Sequence, residues 1–297
     1  LQENMWRNPG ETPNNGIDDD GNGYVDDVYG INAVDGSGNP MDVLGHGTHI
    51  AGIIGAKGNN NLGVCGINWN IKIMAVKFLT VIGTEVGGSD ADAIECIDYI
   101  ISMKKKGVNI IATSNSWGAP GENKALEEAI ERLLDEGILC IVAAGNDSSY
   151  LDYNPFVPGG LYLPNIITVA ATNHNNNLAD FSNYGKFKIS VGAPGDRIYS
   201  TFPGNNYQNS SGTSMATPHV TGLAALIKSH FPDYDWKKIK NLILTSGKDL
   251  TSLSDKTIAG KIIRVDDALS PKGKIVTKRL RPIGDKVSSC IDEELEI

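Results

Sequence analysis

Three small-residue turns in this chain carry side chains that could do acyl-transfer chemistry. GHGTHIAGII (45–54) sets His46 and His49 at the mouth of an apolar, glycine-rich helical pattern. GTSMATPHVTG (212–222) delivers Ser214 and then runs on as the apolar stretch MATPHVTGLAALIKS. A serine so placed lies at a helix N-terminus, where backbone N–H groups and the dipole favour developing negative charge. Its hydroxyl is a weak nucleophile until an imidazole within hydrogen-bond reach takes the proton and later returns it to a leaving amine. AAGN (143–146) closes an aliphatic run with the polar Asn146. Each motif alone also fits an ordinary structural part: an N-cap for Ser214, a turn residue for Asn146.

The elements that must position these turns follow from hydrophobic periodicity. IKIMAVKFL (71–79), VNIIATSNSW (108–117), GILCIVAAGN (137–146), NIITVAAT (165–172) and ISVGAPG (189–195) are β-rich runs that end in polar or small residues. Between them, 90–107 places Ala93, Ile94, Ile97, Ile100 and Ile101 on one helical face, and 122–137 does the same with Leu126, Ala129, Ile130, Leu133 and Leu134. Gly107 and Gly137 stand where C-caps belong. This alternation predicts an α/β fold, a doubly wound, mostly parallel sheet with helices on both faces. In such sheets ligands bind outside the carboxyl ends of the strands, where Asn146 and the SNSWG stretch lie.

The chain of 297 residues can bury a sizeable core, and its net charge of -9 gives no reason to expect a nucleic-acid surface. No 18 apolar residues run together, and LQENMWRNPGE lacks the basic start and apolar stretch of a signal peptide. The expectation is a cytoplasmic protein or one whose targeting segment is gone. Cys65, Cys96, Cys140 and Cys290 form no CxxC pair, so neither a zinc site nor a disulfide framework is expected.

In order along the chain, GHGTHIAG, AAGN, VGAPGDRIYST (191–201) and GTSMATPHVTG resemble the motifs of the subtilisin-like serine proteases, the subtilases, from about residue 4 to about residue 270. The resemblance implies that Ser214 is the nucleophile, His46 the general base and acid, and Asn146 an oxyanion donor beside the Ser214 backbone N–H. It implies a protein or peptide substrate that adds as an extended strand along Ser116-Trp117-Gly118 and Gly87-Gly88-Ser89, with Ala143, Ala144 and Gly145 lining the first pocket. Small pocket walls predict a broad apolar or aromatic preference. His49 and His219 are expected as core histidines, and His174 and His230 fit no pattern. Asn146-Asp147-Ser148 fits a glycosylation sequon, but a sugar there would block the site. The family is mostly secreted, which implies an extracytoplasmic protein.

NGIDDDGNGYVDDVYG (15–30) matches the opening of a calcium loop, with Asp18, Asp20 and Asn22 as alternating ligands and the Tyr24 peptide oxygen next. The expected twelfth-position glutamate is replaced by Tyr29, so Asp26 or Asp27 would close the shell. Five aspartates within ten residues repel one another unless a cation neutralises them, which favours bound Ca2+ over a solvated acidic loop. KGNNNLGVCG (57–66) resembles the family's second calcium loop, with Asn60 as its side-chain ligand.

One family element is missing. No D-[ST]-G turn, which would carry the triad aspartate, occurs in the sequence, and Asp35-Gly36-Ser37 reads as an ordinary turn. The first core strand and its aspartate are therefore expected on a missing N-terminal fragment or pro-segment, through truncation, cleavage or a partial gene, with the chain alone nearly inactive. Residues 1–270 are expected as the catalytic domain and 271–297 as a C-terminal extension. The competing reading is a non-catalytic, calcium-binding subtilase-like scaffold; the presence of His46, Asn146 and Ser214 together favours an enzyme.

Overall fold

The computed structural model describes residues 1–270, 275–277 and 293–295; the rest of the expected extension 271–297 lies outside the described residues. In chain order the elements are β1 (Gly30–Asn32), α1 (His46–Gly55), β2 (Ala75–Lys77), β3 (Thr80–Ile82), β4 (Glu85–Gly87), α2 (Asp90–Lys105), β5 (Ala112–Asn115), β6 (Ala119–Pro120), α3 (Lys124–Asp135), β7 (Leu139–Ala143), β8 (Phe156–Val157), β9 (Ile166–Thr172), β10 (Val191–Pro194), β11 (Ile198–Phe202), β12 (Asn206–Ser210), α4 (Thr213–His230), α5 (Trp236–Thr245), β13 (Lys248–Asp249), β14 (Lys261–Ile262) and α6 (Val265–Leu269), followed by the antiparallel pair β15 (Ile275–Thr277) and β16 (Glu293–Leu295). They fold as two compact units.

The first unit comprises Leu1–Ile110, Asn123–Glu136 and Tyr199–Ser210. Here β1 and β2 pair in parallel, with Ile31 opposite Val76. Cys96, Tyr99 and Met103 of α2 bury against Trp6, Ile31 and Ala33, a face the spacing does not single out; of the expected face, Ala93, Ile97, Ile100 and Ile101 are also buried and Ile94 is half-buried. Ser89 caps α2 by accepting from Asp92 N, and Asn123 caps α3 by accepting from Leu126 N. Of the run expected over 71–79, only 75–77 is a strand, and its residues are half-buried. The β3–β4 hairpin and the β11–β12 ribbon carry no strong apolar alternation, and the sequence does not announce them.

The second unit comprises Ile111–Glu122, Gly137–Ile198 and the described residues from Ser211 onward. Its six-stranded sheet has the order β13-β14-β10-β9-β7-β5, and every pairing is parallel except β13 with β14. All residues of β7 and β9 are buried, which is why both read as unbroken apolar runs rather than alternating ones. Ala216, Val220, Leu223 and Ile227 of α4 pack with Leu139, Ile141, Ile167, Val169 and Val191, and α5 adds Ile239, Leu242 and Ile243. Each fully buried aliphatic side chain there stabilises the fold by about 1.5–3 kcal/mol relative to exposure. Gly107 and Gly137 have φ of +98° and +68°, the left-handed conformation that a helix C-cap requires.

Candidate active site

Ser214 is the second residue of α4, one past Thr213. Pro218 lies four residues on, has no N–H, and so leaves the Ser214 carbonyl without its helical donor. The Ser116 hydroxyl takes that place, donating to Ser214 O at 2.9 Å, while Ser214 Oγ donates to Ser116 O at 3.2 Å. Ser116 follows the last residue of β5, so this reciprocal pair ties the serine turn to a strand end. Gly212, with φ +155°, provides the extended entry into the helix.

Asn146 is exposed three residues beyond β7. Its Oδ1 accepts from Thr213 N at 2.8 Å and from Thr213 Oγ1 at 3.0 Å. With the carbonyl end of the amide occupied, the Nδ2 end is the one left to donate. Thr213, fully buried, also accepts from Gly145 N at 3.1 Å. The loop is braced from its other side by Asn183, also fully buried. Asn183 donates to Ala144 O at 2.9 Å and accepts from Asp147 N and Ser149 N at 2.9 and 2.8 Å. Neither Thr213 nor Asn183 stands out in the sequence as a site residue, because a threonine before a serine and an asparagine in a polar loop are both commonplace.

Ser214, Asn146, Ser116 and Thr213 are thus brought together at the carboxyl ends of the parallel strands of one unit. Of the expected pocket residues, Ala143 and Ala144 are buried, and Ala144 belongs to a core cluster with Leu151, Phe156 and Ile189. Gly145 has φ +98°, and a Cβ there would lie 2.3 Å from Asn183 Nδ2. Gly118 is exposed, yet a Cβ would meet Phe156 Cε1 at 2.5 Å; Trp117 is half-buried.

His46 opens α1 in the other unit. Burial lowers its pKa, and His49 adds to this, while the charge of Asp42 opposes both. A neutral imidazole at pH 7 can accept a proton. His49 is buried, with Nε2 3.0 Å from Gln208 O, in keeping with a core histidine, and His219 Nδ1 lies 2.8 Å from Met215 O. Gly87 ends β4, a Cβ on Gly88 would collide with Phe78 O at 2.3 Å, and the Ser89 hydroxyl is engaged in capping α2.

In the acidic loop, one ligand atom from each of Glu11, Asp18 and Asp20 lies within 4.8 Å of the others. Glu11 was not among the expected ligands. It is buried; Oε1 accepts from Asp19 N and Asp20 N at 2.9 and 3.1 Å, and Oε2 is enclosed without a hydrogen-bond partner. Burial pushes its carboxyl pKa up, against the hydrogen bond from Asp20. The expected closing residues are engaged by other donors. Asp26 accepts from Asn15 N and Gly16 N at 3.1 and 3.0 Å, and buried Asp27 accepts from Asn8, Asn22 and the Tyr99 hydroxyl. Asn22 Oδ1 accepts from Tyr24 N at 2.8 Å, and the Tyr24 hydroxyl bonds Glu95. In the loop 57–66, Asn60 Oδ1 accepts from Leu62 N at 3.1 Å, which closes a local turn.

Comparison with known proteins places these motifs in context. The profile of the subtilase family matches residues 2–261. The chain is 39% identical over 258 residues to subtilisin-like protease 1 of Plasmodium falciparum (isolate 3D7), a match covering 81% of this chain and 36% of that protein. It is 35% identical over 242 residues to subtilisin DY of Bacillus licheniformis, covering 81% of this chain and 83% of that one. The chain therefore spans about a third of the length of the first of these relatives and most of the second.

Proposed function

Because the chain belongs to the subtilase family, we propose that it carries the chemistry of a serine endopeptidase that cuts peptide bonds through an acyl-enzyme. The observation that supports this most is the Asn146 amide, held by Thr213 at its oxygen end beside the N-terminus of the helix that bears Ser214. Ser214 Oγ attacks the scissile carbonyl carbon as His46 takes its proton, and the electron pair of the broken π bond goes to the carbonyl oxygen. Asn146 Nδ2 and the Ser214 N–H donate to that oxyanion; losing such a side-chain donor costs on the order of 10²–10³ in turnover, a figure measured in a subtilisin. Collapse of the intermediate expels the amine, which takes the proton from His46, and water repeats the sequence on the acyl-enzyme. The backbone of 116–118 supplies an edge for an extended, apolar or aromatic-anchored peptide.

The triad aspartate is proposed to come from a segment not contained in this sequence. Among the described residues β5 is the last strand of its sheet, which leaves one backbone edge for such a strand to pair with. Without that carboxylate a protease triad loses about 10⁴ in rate, so the chain alone is expected to be nearly inert. Residues 1–270 would form the peptidase domain with 271–297 appended, and the family's common secretion supports a protein that works outside the cytoplasm. A fluorophosphonate probe tests the chemistry: the upstream-extended protein should label, and Ser214→Ala should not. A folded, unlabelled protein would instead favour the calcium-binding scaffold.

The acidic loop fits Ca2+, with Glu11, Asp18 and Asp20 as the proposed oxygen ligands and the enclosed Glu11 Oε2 as the observation in its favour. The ion would neutralise a cluster that otherwise repels itself. Millimolar Ca2+ should raise the melting temperature of the chain, and Glu11→Gln should abolish most of the increase; an equal rise in both would overturn the ligand assignment.

A further inference from the structure

The Asp42 carboxylate has no assigned part in the chemistry, yet it is the hub of the turn that delivers His46. Oδ1 accepts from Leu44 N and Gly45 N, both at 2.8 Å. Oδ2 accepts from Thr48 N at 2.8 Å and from Thr48 Oγ1 at 2.6 Å. Donors from residues 44, 45 and 48 thus surround one anion, and His46 falls between them along the chain. The turn runs close to the carboxylate: a Cβ on Gly47 would lie 3.7 Å from Asp42 Oδ2. Gly45, at φ +81°, has no room for a side chain, since a Cβ would meet the Phe202 ring at 2.2 Å. The turn is therefore fixed from outside by the ring and from inside by the carboxylate.

We propose that Asp42 is a positioning residue for His46: it clamps the turn that presents the imidazole and supplies the fixed negative charge that steadies the imidazolium. This rests on the reading of His46 as the general base. Asp42 does not replace a triad aspartate, because each of its oxygens already accepts two hydrogen bonds and none is left for a ring nitrogen. Its effect is electrostatic and runs through the backbone. Four donors to the ionised form hold its own carboxyl pKa below the usual range against the cost of burial, so it stays charged wherever His46 titrates. Among the described residues, Asp42 and His49 are the titratable groups that act on His46, with opposite signs. His49 disfavours a second positive charge beside it, and Asp42 is the group that offsets this.

The test is the titration of His46 in the full chain, followed by long-range 1H–15N imidazole spectra and assigned with His46→Gln. Asp42→Asn removes the charge, and His46 should titrate at lower pH than in the parent. Thr48→Val removes one donor and keeps the charge, so His46 should titrate as in the parent while thermal stability falls. Equal His46 titration in the parent and in folded Asp42→Asn overturns the proposal, as does an equal downward shift in both variants, which would mark a purely structural role. Should Asp42→Asn fail to fold, Asp42→Glu, which keeps the charge on a longer arm, should hold the parental titration; a downward shift there overturns the proposal as well. Failure of Ser214 in the upstream-extended protein to take a fluorophosphonate would sink the peptidase reading and leave these titrations unaffected.

Discussion

Thr213→Val replaces one buried hydroxyl with a methyl group of nearly the same shape, and so isolates what that hydroxyl does at the site. In the parent, Thr213 Oγ1 donates to Asn146 Oδ1 at 3.0 Å and accepts from Gly145 N at 3.1 Å. The two losses differ. Asn146 is exposed and keeps the Thr213 N–H at 2.8 Å, so its oxygen can recruit water, and the net cost is about 0.5–1 kcal/mol. Gly145 is buried, and its N–H would be stranded against a methyl group, at about 1–3 kcal/mol. The expected destabilisation is therefore about 1.5–4 kcal/mol, read as a fall in urea midpoint at constant slope by tryptophan fluorescence. Because Thr213 N still orients the Asn146 amide, probe labelling of Ser214 in the extended protein should fall far less than in Asn146→Ala. A destabilisation below about 0.5 kcal/mol, within the range of an inert surface change, would refute the claim that this hydroxyl holds the loop.

Three further outcomes follow from the packing. Gly52→Ala places a Cβ 2.2 Å from Thr201 Oγ1 and 2.3 Å from Ser200 Oγ, the hydroxyls that donate to Thr48 O and His49 O. The helix-propensity gain of about 1 kcal/mol should be outweighed, giving a lower melting temperature; a higher one would show that the strand can yield. Lys240 donates to Pro164 O and Ile166 O at 2.8 and 2.7 Å, and burial brings its pKa down from 10.5 to about 8. The folded state then releases this proton before the unfolded state does, so the stability of the parent relative to Lys240→Met should rise from about pH 8 to about 10.5. A flat difference in urea midpoint across that window would contradict the burial of the charged amine. Asn183→Ala strips the donor from buried Ala144 O and the acceptor from two loop N–H groups, and should speed proteolysis within 144–149; an unchanged cleavage pattern would count against that brace.

Much of this protein was legible in residue order alone. The 3.6-residue spacing of Leu126, Ala129, Ile130 and Leu133 gave α3, the unbroken apolar runs gave the buried strands β7 and β9, and Gly107 and Gly137 marked helix ends through a conformation that other residues resist. The motifs around 46, 146 and 214 were equally plain, since chemistry on an exposed turn demands small neighbours and a specific side chain. What the sequence could not supply is where each polar atom finds its partner. Asp26 and Asp27 look like calcium ligands in a string of aspartates, but one closes a turn at Asn15 and Gly16 and the other is buried against Tyr99, while Glu11 comes in from outside the loop. Ser116 meets Ser214 across 98 positions, its hydroxyl filling the carbonyl that a proline vacates. Local pattern depends on neighbours within a few residues and is written in the chain. Hydrogen-bond satisfaction in a buried site depends on groups brought near by packing, and only the tertiary structure decides which ones arrive.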